Sequence, residues 1–268
     1  RAFLAGAAAI VVGYHGLSCA LQAVYYLRRR CSPQEWKIQP QRFVRLQSPA
    51  CWSPFLGRWF GRREGKEEYH DFVCAMNVIT AGCSAGFVVR SIVRGSTRLL
   101  FDWKAAGRLP GVVGTFCLAV GWQSVLEYYW HRLMHLPFFY KHFHKMHHSY
   151  KSPQPFDDMY IHPVEAVGYY CILYSPPFVF PLHVYGFVLY MAIMGVCGIL
   201  DHSGIKWGFL GIYNTEDHDK HHEHFDCNFA FPFVWMDILH GTFAGDHMGI
   251  HYPLSSAKLG VRRKNLKS

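Results

Sequence analysis

The chain has 268 residues and a net charge of +9, with 51% hydrophobic and only 17% charged residues. Soluble domains carry roughly 25% charged residues, so this composition argues against a soluble, disordered or disulfide-scaffold protein. The basic residues are scattered among apolar segments, which favours a membrane surface over nucleic acid as their partner. The 18 histidines, as many as the acidic residues, are the larger departure from ordinary composition.

The first predicted element is a membrane anchor from Ala2 to Leu27. This stretch is predominantly apolar and long enough to cross roughly 30 Å of hydrocarbon at about 1.5 Å per residue. Arg28–Arg30 follow it, whereas a cleaved signal peptide carries its charges before a shorter apolar segment. The basic, proline-punctuated connection over residues 28–70 is then expected to face the cytosol.

Two further apolar segments predict membrane helices. One is Phe72–Val89, and the other is Gly111–Leu126, which begins just after Pro110. Glu127 marks the point at which the second helix leaves the hydrocarbon, and its polar, aromatic continuation is expected to end at Pro137.

A long apolar block, Val164–Leu200, is broken by Pro176, Pro177 and Pro181. The prolines predict a helical hairpin that returns to the side it left, so both histidine-rich segments lie on one side of the membrane. The predicted fold is therefore an all-α integral membrane helical bundle of about four spans. A cytosolic, histidine-rich helical lobe is expected from residues 127–162 and 201–252.

The histidines recur at helical spacing in three sets. Six fall between positions 131 and 148, and four more fall between 218 and 224. Residues three or four positions apart share one face of a helix, and imidazole is the commonest side-chain metal ligand. Eight such ligands exceed the needs of one ion, so the spacing favours two ions. The sets are His131 and His135; His144, His147 and His148; and His218, His221 and His222.

Spacing leaves the metal open, because imidazole suits iron, zinc, copper and nickel. Nearby acids are expected to accept the free N–H groups of the imidazoles. The candidate acids are Glu127, Asp157, Asp158, Asp201, Asp217 and Asp219.

Two other classes of membrane protein fit the histidines less well. A membrane zinc protease would need a His-Glu-x-x-His motif, which the sequence lacks. A metal transporter would hold ligands near the midplane of the bilayer, whereas these sets stand at predicted helix ends.

The three sets also resemble a known family. Trp130-His131-Arg132-x-x-His135, Tyr140-Lys141-x-x-His144-Lys145-x-His147-His148 and His218-Asp219-x-His221-His222 are similar to the histidine boxes of the fatty acid hydroxylase superfamily, which contains sterol desaturases and methylsterol oxidases. His162-Pro163-Val164-Glu165 and Asp201-His202-Ser203-Gly204 look like further landmarks of that family. The resemblance covers about residues 110–245.

The resemblance implies two iron ions and O2-dependent oxidation of a lipid C–H bond. It also implies electrons from cytochrome b5 and its reductase, and a location in the endoplasmic reticulum membrane. A cytosolic basic patch that includes Lys141, Lys145 and Lys151 fits either an acidic electron carrier or a phospholipid rim. The implied ligands are His131, His135, His144, His147, His148, His218, His221 and His222, with His202 and His162 as further candidates.

The family implies three parts of the chain and a class of substrate. Residues 1–70 would form the anchor and basic connection, 71–252 the catalytic domain, and 253–268 a basic tail. Individual motifs look like sterol C5-desaturases in some places and C4-methylsterol oxidases in others, so a sterol-type lipid is the preferred substrate. Fatty acyl or sphingolipid hydroxylation, alkylglycerol cleavage and a catalytically silent lipid-binding protein remain open alternatives.

Overall fold

The computed structural model describes residues 1–43 and 70–253. The bases around Arg58 in the predicted connection, and the predicted tail from residue 254 onwards, lie outside the described residues. In chain order the helices are α1 (Ala2–Leu21, continued by a π-helix over Gln22–Arg28), α2 (Pro33–Trp36), α3 (His70–Val93), α4 (Arg108–Met134), α5 (Pro137–His142), α6 (Pro163–Leu173), α7 (Pro176–Val179), α8 (Val184–Asp201), α9 (Thr215–His224) and α10 (Trp235–His240).

Four helices are long and apolar enough to cross a membrane, namely α1 with its π-helical extension, α3, α4 and α8. The prediction of an all-α membrane bundle with about four spans is therefore confirmed. The few β-strands form two antiparallel hairpins in the lobe. They pair β1 (Gly208–Phe209) with β2 (Tyr213–Asn214) and β3 (Gly245–His247) with β4 (Ile250–Tyr252).

The helix α4 joins the membrane bundle to the lobe without a break. It begins at Arg108 after Gly107, whose φ of 76° is one that residues with a side chain rarely adopt. It runs through the polar continuation to Met134. Leu136 is extended, as residues before proline usually are, and Pro137 starts α5. The first histidine set is thus fixed to a membrane helix.

The apolar block after residue 163 forms an unequal pair of helices. The eleven residues of α6 reach only about 17 Å at 1.5 Å per residue, too short to cross the hydrocarbon. Pro176 and Pro177 begin the short α7, and only α8 meets the criteria for a span. The predicted hairpin therefore contributes one span and one short arm, because the proline pair stops the first helix early.

Glycines let α1 and α3 approach closely. A Cβ atom added to Gly86 would lie 2.6 Å from the carbonyl oxygen of Phe3, and one added to Gly6 would lie 2.8 Å from that of Ala85. Small residues at such crossings allow backbones to pack in a bilayer, where the hydrophobic effect gives little drive for helix association. This crossing fixes α1 against the rest of the bundle.

Replacing Gly86 by Leu should lower the thermal unfolding midpoint of the detergent-solubilised protein, since backbone atoms of Phe3 cannot move aside. The expected cost is about 1–3 kcal/mol or more. Gly16→Leu is the matched control, because a Cβ atom at Gly16 meets nothing within 4 Å. Equal melting of the two variants would contradict the close crossing.

Candidate metal centre

Nine histidines converge in the lobe as two groups. Within each group the ligand nitrogens all lie within 4.8 Å of one another. The first group contains His131, His135, His144, His148 and His221; the second contains His147, His202, His218 and His222. The nine include all eight histidines of the predicted sets together with His202, the further candidate in the turn after α8.

The three sets defined by sequence spacing differ from the two groups that converge in the structure. On α4, His131 and His135 both enter the first group, one helical turn apart. The second set lies on a 3₁₀-helix (His144–Ser149) rather than on the α-helix that its spacing predicts. Consecutive residues of any helix point in directions roughly 100–120° apart, so His148 joins the first group and His147 the second.

The Nε2 atoms meet at the centre of each group. The Nε2 atom of His144 lies 2.9 Å from that of His135 and 2.9 Å from that of His148. In the second group the Nε2 atom of His202 lies 3.0 Å from that of His147 and 2.9 Å from that of His218.

Four of the nine clustered imidazoles direct Nδ1 outward to a backbone carbonyl oxygen. His131 Nδ1 lies 2.8 Å from the oxygen of Phe229, and His221 Nδ1 lies 2.6 Å from that of Cys227. In the second group the Nδ1 atoms of His202 and His222 face the oxygens of Gly198 and Tyr150. A carbonyl oxygen only accepts hydrogen bonds, so each of these Nδ1 atoms carries the proton.

Each of these Nε2 atoms therefore presents a bare lone pair to the centre of its group. A metal ion at the centre of each group would accept these lone pairs. The buried Nε2 atoms of His131 and His222 have no hydrogen-bond partner in the described part of the chain. Orphaned buried acceptors are costly, and a metal ion in each group would remove that cost.

Burial also keeps the imidazoles neutral. The pKa of His202 falls to about 4 and that of His221 to about 3, because burial removes the solvation of the charged form and the neighbouring His144 adds to the effect. The pKa values of His148 and His222 lie well below the ordinary value for similar reasons. These side chains are therefore in the metal-binding form at pH 7.

His162 is not brought to either group, although the resemblance offered it as a ligand. It precedes α6 as the N-cap residue, and its Nδ1 atom accepts a hydrogen bond from the backbone N–H of Val164 at 3.2 Å. Its ring packs against Phe143. The four unpaired N–H groups at a helix start favour such a cap before a proline, and this contact explains the position of His162 without a metal.

Glu165 is the acid that contacts a clustered imidazole. Its Oε1 atom accepts a hydrogen bond from Nδ1 of His144 at 2.6 Å, and both side chains are largely buried. Five of the six acids predicted for such contacts bind elsewhere. Asp157 accepts from His70, Asp158 from Tyr14, Asp201 from Tyr213, Asp219 from Gln39 and Glu127 from Gln123. Proximity in sequence misled the prediction, because Glu165 reaches His144 only through the docking of α6.

A segment near the N-terminus supports the lobe. Lys37 is fully buried, and its Nζ atom donates to the hydroxyl of Tyr26 and to the carbonyl oxygen of Pro153, both at 3.1 Å. Gln39 donates to the carboxylate of Asp219, which stands next to His218 in sequence. The residues that follow α1 therefore pack against the third histidine set and are part of its surroundings.

A cavity of about 520 Å³ opens from the metal centre into the membrane bundle. His131, His144, His147, His202 and His218 line one part of it, and mostly apolar residues of α1, α6 and α8 line the rest. The volume is within the range of about 300–1,000 Å³ that ligand pockets occupy. The cavity therefore places an apolar space directly beside both histidine groups.

The comparisons with known proteins point to one family. Residues 116–242 match the fatty acid hydroxylase family. Human fatty acid hydroxylase domain-containing protein 2 is 35% identical over 45% of this chain and 35% of its own length. Human lathosterol oxidase is 31% identical over 56% of this chain and 52% of its own. Rice (Oryza sativa subsp. indica) very-long-chain aldehyde decarbonylase GL1-11 is 34% identical over 45% of this chain and 48% of its own.

The chain thus spans about a third to a half of the length of these relatives. No solved structure matches it.

Since the structure places His147 and His148 in different groups, each single alanine variant should lose a different ion. We expect the purified full-length protein to hold about two ions per chain, and His147→Ala and His148→Ala to lose about one each. Elemental analysis by mass spectrometry measures this. His142→Ala, an exposed neighbour outside both groups, is the control. Loss of both ions in either single variant would contradict two separate sites.

The contact between His144 and Glu165 should raise metal affinity, because it fixes the tautomer and orientation of the imidazole. Glu165→Gln is expected to weaken retention of one ion about 10- to 100-fold against a competing chelator. Glu216→Gln, at an exposed acid in the first turn of α9, should leave retention unchanged. Equal retention in both variants would show that Glu165 does not support the site.

Proposed function

Through residues 116–242 the chain belongs to the fatty acid hydroxylase superfamily, and on this basis we propose that it is a membrane-bound, O2-dependent oxidoreductase that uses two iron ions to oxidise a C–H bond of a sterol-type lipid. One observation carries the proposal. A single cavity joins the converging imidazole nitrogens to an apolar space between membrane helices.

The donor set fits the proposed cofactor. Nine imidazoles in groups of five and four suit two divalent first-row metal ions, and iron is among the metals that imidazole binds well. When bound, the two irons supply the O2-activating chemistry that no amino-acid side chain has. His131, His135, His144, His148 and His221 would hold one ion, and His147, His202, His218 and His222 the other.

The protein's own residues prepare the site in three ways. The backbone carbonyls of Phe229 and Cys227 hold the outward Nδ1 protons, so that the Nε2 lone pairs point inward. The carboxylate of Glu165 does the same for His144. The apolar residues of α1, α6 and α8 exclude water from the cavity and hold a lipid beside the histidines.

A sterol-type lipid is favoured among the substrates of the family. The relative that matches over 163 residues is named lathosterol oxidase, and the sequence motifs also resemble sterol enzymes. C4-methylsterol oxidation and sterol C5-desaturation are the two reactions we propose. The aldehyde decarbonylase among the relatives shows that the same family fold is found in proteins named for other lipid reactions.

Electrons would come from a separate carrier, for which we propose cytochrome b5 and its reductase in the endoplasmic reticulum membrane. Lys141 and Lys145 are exposed beside the buried ligands His144 and His148, and Lys151 is exposed just beyond them. This group of bases supports docking of an acidic carrier close to the metal centre, on the cytosolic side.

Lipid profiling of cells that lack the protein tests the function. Accumulation of 4-methylsterols would identify the first reaction, and accumulation of sterols without the 5,6 double bond the second. Re-expression of the unaltered protein or His142→Ala should restore the profile, while His148→Ala should not, because it removes a metal ligand. An unchanged lipid profile would overturn the proposal.

A further inference from the structure

One polar pair interrupts the apolar wall of the cavity. The hydroxyl of Tyr14, in α1, donates a hydrogen bond to Oδ1 of Asp158 at 2.6 Å, and both residues line the cavity. Tyr14 is only 6% exposed, and Asp158 lies in the short 3₁₀ turn Asp157–Met159. Removing a carboxyl group from water into an apolar cavity is costly. A polar group of a bound ligand would offset part of that cost.

The pair lies at the metal end of the cavity. Tyr14 packs in one cluster with Phe156 and Ile199, and Ile199 is one helical turn before His202 along the chain. Met191 also lines the cavity, but it lies eleven residues before His202, about 16 Å along the helix axis. The polar lining is thus concentrated near the metal sites, and an apolar pocket extends into the membrane bundle.

The charges of the lining select the kind of lipid. Glu127, Asp158 and Glu165 line the cavity, and no lysine or arginine does so among the described residues. Among the side chains of the lining, these acids would repel a carboxylate or phosphate headgroup, and none would offer it a cationic partner. A neutral hydroxyl could donate to the phenol oxygen of Tyr14 or to Asp158.

The protonation state of Asp158 is compatible with a hydroxyl group as its partner. Burial raises the pKa of Asp158 to about 7, although the hydrogen bond from Tyr14 partly offsets the effect. The carboxyl group is therefore present in both forms near neutral pH, so it can either accept a hydrogen bond from a hydroxyl or donate one to it.

We propose that Tyr14 and Asp158 bind the hydroxyl group of a neutral lipid, which enters the cavity with its polar end next to the metal sites. The carbon that is oxidised then lies close to that hydroxyl and not at the far end of the apolar body. This second statement rests on the proposed function, whereas the binding statement does not. Tyr14 lies outside residues 116–242, so α1 contributes to substrate choice.

Binding of matched probes to the purified full-length protein in nanodiscs tests the pair. The probes are radiolabelled 5α-cholestan-3β-ol and 5α-cholestane, which differ only in the hydroxyl group. The unaltered protein should bind the hydroxylated probe roughly tenfold more tightly, as expected for one buried hydrogen bond. Asp158→Leu, of similar size but without hydrogen-bonding groups, should bring the ratio close to one, and Tyr14→Phe should reduce it at least about threefold.

Two controls separate this effect from damage to the fold or the cavity. Metal content identifies variants that remain folded. If Asp158→Leu loses its metal, the binding ratio of Tyr14→Phe alone tests whether the pair binds the hydroxyl group. Gly195→Val fills the cavity at a position where a Cβ atom meets nothing within 4 Å. It should weaken binding of both probes and leave their ratio unchanged.

A second pair of probes tests whether the cavity prefers a neutral lipid to an anionic one. Stearyl alcohol should bind to the unaltered protein, and stearate should bind at least about tenfold more weakly because of the acids in the lining. Tighter binding of stearate would overturn the assignment to a neutral lipid. A ratio near tenfold in both variants, or a ratio near one in the unaltered protein, would overturn the assignment to Tyr14 and Asp158.

The outcomes also distinguish this inference from the proposed function. Selective binding of the hydroxylated probe by a protein that oxidises no lipid would refute the function and support the binding site. Oxidation at a carbon remote from the hydroxyl would support the function and refute the orientation.

Discussion

The lobe depends on the convergence of imidazole nitrogens that come from separate parts of the chain. The Nε2 nitrogens of His135, His144 and His148 lie about 3 Å apart. Cations bound between such nitrogens would hold the elements of the lobe together. Among the described residues no single element holds a complete group, because α4, the 3₁₀-helix His144–Ser149 and α9 each contribute histidines.

Backbone groups in the loop after α9 orient two of the clustered imidazoles. Phe229 and Cys227 lie in the loop after α9, yet their carbonyl oxygens fix imidazoles on α4 and α9 respectively. Asp237 in turn holds that loop, since its carboxylate accepts hydrogen bonds from the backbone N–H groups of Phe229 and Ala230. Metal binding and folding of the lobe are therefore expected to be strongly coupled.

The membrane bundle and the metal centre share their helices. Because α4 carries both a candidate span and two histidines of the first group, that group is fixed at the end of this helix. His202 follows the end of α8. The cavity between these helices and α1 is therefore a consequence of how the spans are joined to the lobe.

Local signals in the sequence carried part of the fold and most of the site. Hydropathy located the first three spans and the apolar block that contains the fourth, and helical spacing identified eight of the nine clustered histidines, because both signals repeat within a few residues. Which histidines meet in each group is seen only in the fold, where the adjacent His147 and His148 point to different sides of the segment His144–Ser149. The fold also decided that Glu165 supports His144, that His162 caps α6, and that Tyr14 meets Asp158. The contacts with Glu165 and Tyr14 join residues far apart in the chain, and the cap depends on where α6 begins, so no local period in the sequence records these outcomes.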